Sequence, residues 1–301
     1  MAHGPLERSC GDWVRCGPAT GGVQLLQAWF AGAAYARHRH DTYAIGVTDS
    51  GVQCFGYRGA SHASTPGEAL VLHPDEPHDG YAGTGQGFGY RIVYVEPALV
   101  AEAARATTGR ACALPFVRRP VLRSRRLVQA IDGAFAFEFT PFAAEEVVLR
   151  LSEALLTEAG GAPRTPRVDG AAVERARELL DGTLDRVVAS AELERASGLS
   201  RFELSRQFRA SLGTSPYRYS LMRRLESVRG RLGEGPTIDL ALEAGFADQA
   251  HFTRLFKGAF GVTPGRYARL AHGGAKPGKS RTDGATRHPL RETMVAPQQQ
   301  P

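Results

Sequence analysis

Short apolar segments separated by turn-forming residues fill the first third of the chain. The segments are 23–30, 43–47, 69–72 and 90–95, and Gly, Pro, Asp and Ser are frequent between them. Runs of this length with such boundaries are typical of β-strands and turns. The pattern therefore predicts an all-β unit of many short strands.

Two stretches further along show apolar residues at helical spacing, residues 121–139 and residues 143–159. The spaced positions are Leu127, Ile131 and Phe135 in the first stretch and Val148, Leu151 and Leu155 in the second. Spacing of three and four residues predicts two amphipathic helices. We expect these helices to mediate a homodimer, with packing against their own β-unit as the alternative.

Two segments have the composition of connectors. Residues 160–167 contain two Pro and two Gly and predict a linker before a wholly helical region that begins near residue 171. Residues 272–301 are rich in Gly, Pro, Lys, Thr and Gln with few core-forming residues, which predicts a disordered tail.

One supersecondary unit occurs twice in the helical region. The run LSRQFR from Leu204 is followed by the pattern G-x-[ST]-P-x-R-Y from Gly213. Forty-eight residues further on, FTRLFK from Phe252 is followed by the same pattern from Gly261. Repetition at a constant spacing is the sequence signature of a duplicated structural unit.

Each copy has the residues expected of two short helices joined by a tight turn. In the first copy, a helix over 191–197 would end at Gly198, and Ser200 with Glu203 forms an S-x-x-E capping box for the next helix. In the second copy, Gly245 and Asp248 take the closing and capping positions. Both copies therefore predict a helix-turn-helix.

The second helix of each copy separates an apolar face from a polar one. Leu204 with Phe208, and Phe252 with Phe256, lie four apart and are predicted to face inward. The outward residues are Arg201, Phe202, Ser205, Arg206 and Arg209 in the first copy, and Gln249, Ala250, His251, Arg254 and Lys257 in the second. Arg can bond guanine and Gln can bond adenine in a major groove, so these residues are predicted to contact DNA.

A single helical hairpin with a glycine turn is weak evidence, because such hairpins are common in proteins that bind no DNA. The alternative is a helical interaction domain whose arginine face contacts protein. Two copies in register, each with the same trailing pattern, favour DNA.

These residues closely resemble the DNA-binding domain of the AraC/XylS family of transcription regulators. The second copy carries the signature, from Ala244-Gly245-Phe246 through Asp248-Gln249-Ala250-His251-Phe252 to Gly261-Val262-Thr263-Pro264. The resemblance implies seven helices, with one long helix over about 216–232 joining the two units. It also implies binding to double-stranded promoter DNA, recruitment of RNA polymerase, and activation as the commoner outcome. The base-contacting positions that it implies are Phe202, Ser205 and Arg206 in the first copy and Ala250, His251 and Arg254 in the second.

The N-terminal half resembles the cupin-like sensor domain common in that family. Gly32, His38-x-His40 and Gly51 have the spacing of the first cupin motif, and Gly67, Pro74 and His78 approximate the second. Ala44 stands where metal-binding cupins have Glu. The resemblance implies that His38, His40 and His78 line an effector pocket or form a depleted metal site, and we favour a small-molecule effector with no metal. Two alternatives remain: rim histidines with no ligand, and a metal-dependent cupin enzyme, such as a dioxygenase or isomerase, with a helical appendage.

Composition adds exclusions rather than a function. No apolar run in the 301 residues approaches the roughly 20 that a membrane helix needs. The first 22 residues lack the apolar core of a secretory signal, so a cytoplasmic protein is expected. The four cysteines form no C-x-x-C pair. The formal net charge of +6 is compatible with DNA but does not require it.

Taken together, the patterns and the family resemblance predict an α+β protein of two domains that is not an enzyme. A cupin-like antiparallel β-barrel with a sensor role is expected over residues 1–110, followed by linker or dimerisation helices over 120–160. A double helix-turn-helix domain is expected over 169–271, before the tail at 272–301. No cofactor is expected.

Overall fold

The computed structural model describes residues 11–17, 19–110, 112–136, 139–161 and 168–273. The predicted tail, apart from its first two residues, and most of the predicted linker lie outside these ranges. Within the described residues, no helix is long and apolar enough to cross a membrane.

Two antiparallel sheets form the N-terminal barrel, as predicted. The first sheet has the order β1-β2-β9-β4-β7-β10. Its strands are β1 (Trp13–Cys16), β2 (Val23–Phe30), β4 (Tyr43–Gly51), β7 (Ala69–Leu72), β9 (Phe88–Val95) and β10 (Val121–Leu122). The second sheet has the order β3-β8-β5-β6. Its strands are β3 (Ala33–His38), β5 (Gln53–Tyr57), β6 (Ala60–Ser64) and β8 (His78–Ala82).

Both faces of the first sheet are apolar and buried. On β2, Leu26, Ala28 and Phe30 pack inside the barrel, whereas Val23 and Leu25 point to the opposite face. Successive side chains of a strand point to opposite faces, so a strand buried on both sides is apolar at almost every position. This explains why the sequences of β2, β4, β7 and β9 are largely apolar and do not alternate strictly between apolar and polar residues.

Three helices cover the outer face of that sheet: α1 (Pro97–Thr108), α2 (Arg125–Ala136) and α3 (Pro141–Glu158). Leu127 and Ile131 of α2 and Leu151 of α3 lie in one core cluster with sheet residues such as Ile45. The helical spacing that suggested dimerisation is thus accounted for by packing on the chain's own barrel. Dimerisation itself stays a prediction.

The structure corrects the sequence interpretation at two places beside the barrel. Val121 and Leu122 are not helical, because they pair with Leu70 and Ala69 of β7 as β10, and α2 begins only at Arg125. Helix α1 was not predicted. It begins at Pro97, a residue whose fixed φ suits the first turn of a helix, and it ends at Gly109.

The C-terminal region contains seven described helices, the number that the family resemblance implied. They are α4 (Gly170–Asp181), α5 (Ser190–Ser197), α6 (Arg201–Leu212), α7 (Pro216–Gly230), α8 (Thr237–Glu243), α9 (Gln249–Phe260) and α10 (Pro264–Gly273). Helices α5 and α6 form the first helix-turn-helix, α8 and α9 form the second, and α7 is the joining helix.

The predicted caps are present. The Ser200 side chain accepts a hydrogen bond from the Glu203 backbone N–H, and Asp248 accepts one from the His251 backbone N–H at 2.7 Å. The Glu203 carboxylate accepts from the Ser200 hydroxyl at 2.8 Å, whereas a full capping box would pair it with the backbone N–H. Gly198 adopts the left-handed conformation with φ +74°.

Helix α7 is tied to the second helix-turn-helix by one buried arginine. The Arg224 guanidinium donates to the carbonyl oxygens of Ala244 at 2.7 Å and Gly245 at 2.5 Å, and it lies 4.5 Å from the centre of the Phe246 ring. These carbonyls follow α8, where no further turn of helix satisfies them. Arg224 therefore sets how the second unit sits on α7.

We predict that Arg224→Met lowers the free energy of unfolding by about 2–4 kcal/mol, because two charge-assisted hydrogen bonds are lost inside the domain. Urea unfolding of the full chain measures the change. Arg231→Met is the control: Arg231 follows α7 directly, and its ion pairs with Glu234 and Glu243 are exposed. Equal stabilities for the two variants would contradict the role given to Arg224.

Candidate DNA-reading helices and interdomain cavity

Helices α6 and α9, called here the reading helices, present the outward residues that the repeat predicted. Arg201, Phe202, Arg206 and Arg209 are exposed on α6, and Ser205 is half-buried. On α9, Gln249, Ala250, Arg254 and Lys257 are exposed, and His251 is half-buried. Leu204, Phe208, Phe252 and Phe256 are buried, as predicted.

The basic side chains of these faces are available to a partner. In the described part of the chain, the side chains of Arg206, Arg209, Arg254 and Lys257 make no hydrogen bond or ion pair. Phe202 is 76% exposed, which is unusual for a large apolar side chain. Exposed cations along one face of a helix, joined on α6 by an exposed aromatic ring, suit contact with DNA bases and phosphates.

His38, His40 and His78 come together at one end of the barrel, called here the rim. The ring centres of His38 and His78 lie 4.3 Å apart, those of His40 and His78 4.8 Å, and those of His38 and His40 6.1 Å. Each Nδ1 lies 2.9–3.0 Å from a backbone carbonyl oxygen, that of Ala36, Thr42 and Glu76 respectively. Because a carbonyl only accepts, each Nδ1 carries the proton and each Nε2 is the acceptor nitrogen.

Burial keeps these three imidazoles neutral. It lowers the pKa of His38 and His40 well below the ordinary histidine value, and it lowers the pKa of His78 to about 4. Neighbouring imidazoles lower the first two further, since two protonated rings would repel each other.

The arrangement does not fit a metal centre. Among the residues that the structure describes, no set of three His, Cys, Asp or Glu side chains is arranged to hold a metal ion. Ala44, at the position of the cupin glutamate, is buried on β4 and has no donor atom. We therefore derive no chemistry that uses a metal at the rim.

A cavity of about 470 Å³ lies between the barrel and the helical region. His38 and His40 line it from the barrel, together with Gln24 and Tyr94, but His78 does not. The barrel interior itself is filled by a cluster that includes Phe30, Phe55, Leu70 and Phe88. The histidines expected to line a pocket inside the barrel are thus divided, with two of them facing the interdomain cavity.

The helical region supplies the opposite wall, mainly from α7 and from the α9–α10 segment. The wall residues are Arg223, Glu226, Arg229, Gly230, Leu232, Ala259, Phe260, Tyr267, Ala268 and Ala271. None of them was predicted from the sequence as a site residue. Arg223, Glu226 and Arg229 recur every three residues along a helix, which indicates one shared face, but the spacing does not say what that face meets.

One guanidinium holds a group of three carboxylates across the interface. Arg223 of α7 lies 3.1 Å from Asp41 and 2.7 Å from Glu96, both of the barrel half, and 3.0 Å from Glu226 on its own helix. Burial raises the pKa of Asp41 and of Glu226, while the positive charge of Arg223 opposes that rise.

Arg229 faces the cavity in a different way. It donates to the Gln24 side-chain oxygen at 2.6 Å and lies 4.8 Å from the centre of the Phe260 ring. Among the described residues, no carboxylate lies within ion-pair distance of Arg229. Glu96 and Glu226 also line the cavity. Arg229 is nevertheless a cation without an ion-pair partner among the described residues, and an acidic ligand would pair with it.

Comparisons with known proteins agree on both halves. Residues 20–158 match the model of an AraC-like ligand binding domain, and residues 193–270 match a helix-turn-helix domain. The uncharacterized HTH-type transcriptional regulator YbfI of Bacillus subtilis is 27% identical over 223 residues, covering 72% of this chain and 81% of YbfI. Regulatory protein SoxS of Salmonella typhimurium is 32% identical over 92 residues, which are 30% of this chain and 86% of SoxS. Several other curated relatives match over about a third of their own length.

Among solved structures, an apo form of ToxT from Vibrio cholerae superposes with a TM-score of 0.62 at 14% identity, covering 84% of this chain and 99% of ToxT. ToxT with a bound unsaturated fatty acid gives a TM-score of 0.59. At this identity the likeness shows a shared two-domain fold. The relatives support a DNA-binding regulator over the enzyme alternative.

We predict that the free energy of unfolding falls as the pH is lowered from about 6.5 towards 4. In that interval the histidines of the unfolded chain bind protons, whereas the buried histidines of the folded chain do not. Each such histidine therefore lowers the free energy of unfolding by up to about 1.4 kcal/mol per pH unit. Urea unfolding at several pH values measures the slope. His78→Asn should make the slope shallower, whereas His251→Asn on α9 is the control. An unchanged slope in His78→Asn would show that the buried imidazole does not carry the effect.

Proposed function

Because this chain belongs to the AraC/XylS family of DNA-binding transcriptional regulators, we propose that its two reading helices recognise two elements of one promoter under the control of a small acid. The observation that carries the proposal is the matched exposure of Arg206 and Arg254. These arginines occupy equivalent positions of the repeat, and within the described part of the protein their side chains make no hydrogen bond or ion pair.

The two helices take the same role at neighbouring major grooves. Arg206 and Arg254 are the base-reading residues, helped by Phe202, Ser205, Ala250 and His251. Arg201, Arg209, Gln249 and Lys257 flank them, where Arg and Lys can neutralise phosphates and Gln can bond a base edge. The family resemblance implies that both units face the same side of the duplex, so their elements lie about one helical turn, roughly 10 bp, apart.

Selection of bound sequences from a random duplex pool tests this recognition. We expect the wild type to enrich a motif with two elements, and Arg206→Ala and Arg254→Ala each to relax one of them. Each substitution should cost about 1–3 kcal/mol at the affected element. Arg195→Ala is the control, since Arg195 lies on α5 outside the reading helices. Enrichment of a single element, or loss of both by one substitution, would contradict separate reading.

The proposed effector is an apolar molecule with one carboxylate, bound in the interdomain cavity. Arg229 would receive the carboxylate, and Leu26, Leu232 and Phe260 would contact the apolar part. Support also comes from ToxT, whose structures contain an unsaturated fatty acid and a naphthalenyl butenoic acid. Such a ligand contacts α7, so it can favour one arrangement of the DNA-binding region if it binds that arrangement more tightly.

Thermal unfolding with decanoate, decanol and decanamide tests the ligand class. Decanoate should raise the melting temperature, and the two uncharged analogues should raise it less, because they leave Arg229 without a charged partner. In Arg229→Gln, decanoate should raise the melting temperature no more than the uncharged analogues do. Arg229→Lys should retain part of the extra shift with decanoate, and the control Arg231→Gln should retain all of it. Equal shifts for the three compounds would contradict recognition of the acid.

The proposal also includes recruitment of RNA polymerase, activation as the commoner outcome, a cytoplasmic location and a homodimer. Phe142 and Leu149 are the large apolar residues exposed on α3, at 77% and 41%, and a second copy could pack against them. Sedimentation of the full chain at micromolar concentration measures the dimer.

A further inference from the structure

The glycine at the end of each reading helix docks on the barrel. Gly213 ends α6 and Gly261 ends α9, with φ of +71° and +72°. A β-carbon placed on Gly213 would lie 2.8 Å from Cβ of Pro74, in the loop between β7 and β8. A β-carbon on Gly261 would lie 2.7 Å from Cβ of Tyr35 on β3. The two glycines are equivalent in the repeat, so the same position of both units meets the barrel.

Backbone hydrogen bonds and an arginine support this docking. The backbone N–H groups of Ala36 and Arg39 donate to the carbonyl oxygens of Gly261 and Gly258, at 3.0 and 3.3 Å. Strand β3 and the residues after it thus contact the end of α9 directly. Beside α6, Arg218 donates to the Arg39 carbonyl and lies 3.6 Å from Asp75, which follows Pro74.

The docking leaves the reading faces open. Arg206 and Arg254 remain exposed while the opposite ends of their helices touch the barrel. The barrel therefore does not cover the DNA-binding surface. It adds a second connection between α6 and α9, beside the one through α7, and two connections restrict relative movement more than one.

We propose that Gly213 and Gly261 are positioning residues that set the spacing between the two DNA elements this protein accepts. The inference rests on the proposed two-element recognition. Because the ends of both helices contact the rim of the barrel, the distance and the angle between α6 and α9 are fixed. One inserted base pair displaces a DNA element by about 3.4 Å and turns it by about 34°. Two reading helices at a fixed distance and angle cannot then contact both elements.

Gly213→Ala tests the proposal, with Gly198→Ala as the matched control. Gly198 ends α5 with φ +74°, so alanine suffers the same backbone strain there, but no atom lies within 4 Å of the added carbon. The double variant Gly213→Ala with Pro74→Gly removes the atoms of Pro74 that the new β-carbon meets. The double variant should show the wild-type dependence on element spacing if the contact between the added β-carbon and Pro74 is responsible. The single variant Pro74→Gly measures the effect of that substitution by itself.

The first measurement is the affinity for duplexes carrying both selected elements, with zero, one or two base pairs added between them. Wild type and Gly198→Ala should lose about tenfold or more per inserted pair, whereas Gly213→Ala should lose less than about threefold. The double variant should regain the steep loss. Identical spacing profiles for Gly213→Ala and wild type would overturn the proposal.

The second measurement is hydrogen exchange at the Ala36 and Arg39 amides, which reports docking without DNA. Both amides should exchange faster in Gly213→Ala than in Gly198→Ala, because release of α6 loosens α9 on the same rim. Unchanged exchange would overturn the coupling of the two contacts. If the wild type selects only one DNA element, the proposed two-element function is wrong. If the wild type selects two elements and the spacing profile of Gly213→Ala equals that of the wild type, only the positioning role of the glycines is wrong.

Discussion

The pairing of Asp41 with Arg223 is the interaction on which the joint between the two halves depends. Asp41 belongs to the barrel, its side chain is 2% exposed, and Arg223 belongs to helix α7. A buried carboxylate that loses its cation costs several kcal/mol, so the buried state of Asp41 requires that α7 stays against the barrel. Glu96 and Glu226 share the same guanidinium. The interdomain cavity and the docked ends of the reading helices both lie around this joint.

Helix α7 connects that joint to DNA recognition. Its Tyr219 packs in the core of the first helix-turn-helix, and Met222 and Leu225 pack in the core of the second. The same helix lines the cavity through Arg223 and Arg229. The helix that lines the cavity is thus also the helix against which both DNA-reading units pack. Such an arrangement can couple two binding events, provided that each ligand prefers one position of the helix.

The sequence predicted elements well where local chemistry decides them. Strands β2 and β7 have the predicted bounds, and α6 and α9 begin after the caps Ser200 and Asp248. The sequence prediction was wrong at Val121, which it assigned to the same helix as the apolar positions of α2. There a backbone pairing with β7, more than fifty residues earlier in the chain, outweighed the helical pattern. No local signal reveals such a partner.

The amino-acid sequence was enough to identify the duplicated helix-turn-helix, its inward and outward faces and the family, because these depend on residues a few positions apart. The packing of the two halves was needed to establish that His38 and His40 face a cavity while His78 does not, and that Arg229 donates to Gln24 across that cavity. It also decided that Gly213 and Gly261, which sequence alone would assign to helix ends, dock on the barrel. These contacts join residues far apart in the chain, and their formation depends on how two independently patterned halves pack together.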